Sequence, residues 1–117
     1  MKKTHRSIFL KELKQTFPEL KNEINSQYGL LHCEMHTFHQ YVQDQITDNH
    51  KENVIKAFKI IEKHFLSGNK DLVTAIAVSF LEHLDLGIEK GKPSWALKFL
   101  PETLRAPYEE LRKYHGL

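Results

Sequence analysis

Apolar residues recur at intervals of three and four over most of the chain, a period that fits helices and leaves no alternating stretch for a strand. Leu31, Met35, Phe38 and Val42 share one side of a helix expected over residues 30–46, and Val54, Phe58, Ile61 and Phe65 repeat the spacing up to Leu66. Leu72, Val73, Ile76, Ala77, Phe80, Leu81 and Leu84 cover more than half of a third circumference. That segment is expected to run as one helix to Gly87, central in the fold and covered on more than one side.

The punctuation between these stripes supplies the remaining elements. Thr4 or Ser7 is expected to cap a first helix carrying Ile8, Phe9 and Leu13, and Thr16-Phe17-Pro18-Glu19 has the order of a capping box that would restart the helix with Phe17, Leu20 and Ile24 inward. Tyr28-Gly29 closes that piece, and Thr47-Asp48-Asn49-His50 offers caps for the next helix. Gly68 is expected to take the left-handed conformation that ends helices, with Asn69 or Asp71 capping the helix after it. Gly87 to Pro93 holds two glycines and a proline without a period, the longest expected loop. Ser94 then caps a turn with Trp95, Leu97, Phe99 and Leu100, and short helical pieces are expected to begin near Pro101 and Pro107, the last carrying Tyr108, Leu111 and Tyr114 and ending at Gly116. The expectation is an all-α, single-domain bundle over residues 1–117, with about five to seven helices around a central apolar helix.

A chain of 117 residues with 40% hydrophobic and 27% charged side chains can bury roughly two-thirds of its unfolded surface in one core. Its 17 basic and 15 acidic side chains are interleaved, so nucleic acid is not expected as a partner, and Lys2, Lys3 and Arg6 read as the solvated start of a helix. The single cysteine, Cys33, excludes an intrachain disulfide. Ile8, Phe9 and Leu10 alone separate the basic start from Lys11 and Glu12, and the longest apolar run, Ala75 to Leu81, is too short for a membrane span. No secretory leader or membrane association is therefore expected, and a reducing cytoplasm is.

His32, His36 and His39 are spaced by four and three residues, which sets three imidazoles on one helix face at the border between core and solvent. Paired histidines on a helix can bind zinc, but three ligands along two turns of one helix converge poorly on one ion, and the His-Glu-x-x-His order is absent. No cofactor or metal is expected. Ser79, Glu82 and His83 lie within about one turn of the same helix, whereas a nucleophilic relay needs groups from separate elements. Cys33 likewise faces away from its neighbouring histidines. An enzyme is not expected.

Leu72 to Leu84, containing Ser79-Phe80-Leu81-Glu82, comes after the Ser67-Gly68-Asn69 turn, and Phe17-Pro18-Glu19-Leu20 and Phe99-Leu100-Pro101-Glu102-Thr103-Leu104-Arg105 flank it. Together these resemble a bacterial family of small helical domains of unknown function with an "SFLE" helix, similar in kind to toxin-immunity proteins. The resemblance implies a cytoplasmic immunity protein that neutralises a bacterial toxin domain by stoichiometric binding, as a monomer or weak homodimer. Such a protein needs a stable scaffold with one tailored surface, for which His32, His36, His39, Glu82, His83, Lys90, Lys92 and Trp95 are the candidate contacts. A helical adaptor or regulatory dimer and a metal-binding protein using the His32/His36/His39 stripe are the alternatives.

Overall fold

A computed structural model describes residues 3–88 and 90–114, without the Tyr114 side chain. Lys2, Glu89 and the expected stop at Gly116 lie outside the described residues. The α-helices within them are α1 (Arg6–Thr16), α2 (Lys21–Asn25), α3 (Leu31–Thr47), α4 (Lys51–Ser67), α5 (Lys70–Ser79) and α6 (Glu102–Tyr114), with 3₁₀ turns at Pro18–Leu20, Leu81–His83 and Trp95–Phe99. The all-α bundle follows from the apolar period, and no strand occurs among the described residues.

Phe38, at the middle of the α3 stripe, is the hub of the core. Its ring lies 6.2 Å from Phe9 of α1, 6.1 Å from Phe17 and 5.4 Å from Phe80, so the aromatic residues of four segments lock together. Met35, Val42, Val54, Phe58 and Ile61 are fully or almost fully buried around it, as the spacing requires. α5 packs on both α3 and α4 and buries Leu72, Ala75 and Ile76.

Six local expectations give way to tertiary constraints. The helix beginning at Lys70 stops at Ser79, and Phe80 leaves the helical region at φ −120° and ψ −68°. Leaving the helical path allows Phe80, Leu81, Leu84 and Leu86 all to be buried; on one straight helix Leu86 would face away from Leu84. The carbonyls freed by the break are met by side chains: Arg112 donates to those of Leu81, Glu82 and Leu84, and Tyr108 to that of Leu84.

Gly68 is extended, at φ −73° and ψ 156°, instead of left-handed. It is needed for close approach: a Cβ there would stand 2.4 Å from the His64 carbonyl oxygen. The same bend receives the N-terminal segment, with the Thr4 amide on the Ser67 carbonyl and the Asn69 amide on the Thr4 carbonyl, both at 2.7 Å. Asn69 does cap α5, accepting from the Leu72 amide at 3.0 Å.

The capping box at Thr16 does not form, because α1 runs through Thr16 and Glu19 accepts the Tyr41 hydroxyl instead. Neither Thr4 nor Ser7 caps α1, whose first turn already contains Ser7 while the Thr4 hydroxyl bonds to His64. None of the polar residues before α4 caps it with a side chain; Asn49 contributes a left-handed turn residue, at φ 59°. Pro107 begins no separate piece and lies inside α6, where Leu104, Tyr108 and Leu111 at four- and three-residue spacing hold the helix against the core. Tyr28 and Gly29 both take positive φ, closing α2 as expected, and Ser94 caps its turn through the Ala96 amide.

Candidate functional site

α3 presents its histidines in three different environments. His32 is exposed and its Nδ1 lies 2.8 Å from the buried Ser79 hydroxyl. His36, one turn on, is exposed. His39 is 5% exposed, and its Nε2 donates to the His83 carbonyl at 2.9 Å while Nδ1 is buried without a partner.

The break after α5 brings His83 over α3. The His36, His39 and His83 rings lie 5.4, 5.8 and 5.9 Å apart in pairs, and His39 meets the edge of Phe80 at 6.2 Å. Gln43, one turn beyond His39, secures the segment by donating to the Asp85 carbonyl and accepting from the Asp85 amide. Burial holds His39 below the usual histidine pKa; its bond to the His83 carbonyl works the other way, and the nearby charges of His36, His83 and Arg112 lower it further. A neutral, Nε2-protonated imidazole is therefore the form this site holds near neutral pH.

Four of the expected contact residues thus fall on or beside one surface: His32, His36 and His83 line the α3 edge, and Lys90 reaches it through Asp85 at 3.7 Å. His39, expected at the border with solvent, is buried beneath it by the returning His83 turn. Glu82 is half-buried on the same turn, where its carbonyl accepts from Arg112 at 2.7 Å. Lys92 is exposed on the loop beyond. Trp95 stands in a separate cleft with Asn49, Lys51, Lys98 and Phe99, its ring 6.0 Å from Phe99, over which Lys51 sits at 4.8 Å. Among the described residues no three His, Cys, Asp or Glu side chains are placed to hold a metal ion. One reason is visible at His39, whose Nε2 is spent on a backbone carbonyl.

The polar groups buried most deeply lie elsewhere. His64 is fully buried and bridges Thr4 and Glu12, at 3.0 and 2.7 Å. Burial pushes the Glu12 carboxyl up, but bonds from His64 and Lys63 outweigh it and hold the group below its ordinary pKa. Glu34, 2% exposed, takes a bidentate pair from Arg6 at 2.7 and 2.6 Å. Both were within reach of sequence reasoning. Glu34 stands four residues before Phe38, and His64 three after Ile61, each on its helix's inward stripe.

These features define a class: a small all-α domain whose converging polar side chains bind one another and its own backbone. Residues 10–116 match the family described as "Domain of unknown function (DUF7674)", and the chain belongs to that family. No curated protein and no solved structure matches it.

Proposed function

We propose that the chain is a non-catalytic protein-binding domain, a cytoplasmic immunity protein that neutralises a bacterial toxin domain by stoichiometric binding. The observation that carries the protein-binding reading is how the reactive-looking side chains are used. His39 and Arg112 hold the carbonyls of the broken helix, Ser79 is paired with His32, and His64 and Glu12 tie the N-terminal segment to α4. Polar groups employed in this way stabilise a scaffold, while the His36–His83 edge and the Lys90 and Lys92 loop remain at the surface for a partner. The immunity role itself rests on the resemblance of the Ser79–Glu82 segment and its flanks. The test is co-expression with the toxin-like product of a neighbouring gene: the reading expects protected growth and a tight complex, and unprotected growth with no complex would refute it.

A specific observation favours a second reading, a regulatory dimer. An open cleft of about 480 Å³ lined by Ala77, Pro107, Glu110, Leu111 and Lys113 is mostly apolar, and nearby Val78 is 43% exposed. A mass that doubles with concentration and is returned to the monomer by Leu111→Glu would support that reading over the first.

A further inference from the structure

The N-terminal cations converge on an open cleft of about 530 Å³ between α1 and α2, lined by Arg6, Lys11, Lys14 and Lys21 with Ser7 and Gln15 between them. No carboxylate is among the lining residues. Glu34 neutralises Arg6 from beneath, leaving three lysines, of which Lys14 is bonded to the neutral Asn25 amide at 2.6 Å. Interleaving in sequence therefore does not become interleaving in space: Glu12 turns to His64 and Lys63, and Glu19 to Tyr41, so these two acids are used elsewhere.

The cleft adjoins an exposed apolar step. Gly29 lies against Arg6, a Cβ there falling 3.6 Å from the guanidinium, and its chain neighbours Tyr28 and Leu30 are 92% and 58% exposed. Tyr28 also carries a left-handed φ of 55°, unfavourable for a bulky side chain, without burying any of its ring in the core. Arg6 and a solvent-facing tyrosine are of the residue types enriched where proteins dock, and the lysines add a positive field that an acidic partner complements.

We infer that the cleft between α1 and α2, together with Tyr28 and Leu30, docks an acidic segment of the protein partner. Size and chemistry both favour polypeptide over a nucleic-acid duplex. Arg6 to Lys14 spans about 12 Å of helix axis, the length of three to four extended residues, whereas a duplex would find only two or three phosphate contacts there. A duplex keeps its bases stacked on one another and would leave the tyrosine and leucine uncovered, whereas an apolar side chain next to the acidic residues would cover both. A single strand, which could stack a base on Tyr28, is an outcome of the test.

The inference rests on the protein-binding reading, and its test keeps the two apart. The probe is a fluorescent peptide of about eight residues, rich in Glu and Asp with one Leu, titrated against the full chain by anisotropy. Binding that weakens with added salt is expected. The double variant Lys11→Glu/Lys21→Glu should lose at least about tenfold in affinity, while Lys56→Glu/Lys59→Glu, with the same change in net charge on the outer surface of α4, should lose less than about twofold. All four lysines are exposed, and unchanged circular dichroism and melting temperature verify folding. Equal losses in both variants, no peptide binding, or tighter binding of a DNA duplex or of an oligothymidylate single strand than of the peptide would overturn the inference. A native partner still captured by Lys11→Glu/Lys21→Glu with undiminished affinity would remove this face and leave the protein-binding reading intact; failure of the wild-type chain to capture any partner would overturn that reading and the inference with it, whatever the peptide result.

Discussion

Acid should weaken this fold through one identifiable imidazole. His39 is buried with its pKa held below 6.5, its value when free in the unfolded chain. Above both values neither state carries the proton and the group adds no pH dependence. As pH falls below 6.5 the unfolded chain takes up a proton that the native site refuses, so stability is lost until the native pKa is passed. One such proton gives a slope of at most about 1.4 kcal/mol per pH unit. Glu12, also lowered, contributes stability above its ordinary 4.5 that is lost as pH falls below it, so the interval from about pH 6.5 to about 5 isolates the histidine effect from that carboxylate. Urea unfolding at half-unit steps across that interval measures the slope. His39→Gln keeps a donor for the His83 carbonyl but cannot titrate, and should flatten the curve by up to about 1.4 kcal/mol per unit. Equal slopes in the two proteins, or wild-type stability that rises on acidification, would refute the placement of His39 as a buried neutral group.

Other substitutions probe the remaining supports, each measured by chemical denaturation. Gly68→Ala should destabilise by about 2 kcal/mol or more, since its φ suits alanine and only the 2.4 Å approach to the His64 carbonyl forbids it. Asn69→Ala removes the cap on the Leu72 amide and should cost about 1 kcal/mol. Arg112→Met keeps the aliphatic stem but abandons the carbonyls at Leu81, Glu82 and Leu84, for an expected loss of about 2–4 kcal/mol; a neutral result would mean that water serves those carbonyls equally well.

The helical class was legible because the stripes on α3 and α4 keep a 3.6-residue period without interruption. The end of α5 was not. Leu72 to Leu84 has an apolar pattern that permits a longer helix, and its end at Ser79 is set by partners from α3 and α6, some thirty to forty residues away, that accommodate the free carbonyls. Gly68 misled for a related reason, since a glycine after a helix commonly means a left-handed cap, whereas here it is extended, with Thr4 bonded to the residues on either side and no room for a Cβ against the His64 carbonyl. At the candidate surface the spacing of His32, His36 and His39 placed them on one edge, but it could not show that the broken helix folds His83 over His39 and buries it. The cationic cleft was hidden by the even mixture of signs along the sequence, which says nothing of which acids are drawn away by His64 and Tyr41.

A domain that acts by occupying a protein partner, performing no chemistry on it, must inhibit mole for mole. Titrating a captured toxin partner with the full chain while following the toxin's activity reads that stoichiometry. Activity should fall linearly and vanish near one equivalent, with both proteins recovered at unchanged mass. Complete inactivation by a small fraction of an equivalent would reveal turnover, and undiminished activity at excess would show that binding does not inhibit; either result would overturn the proposed function.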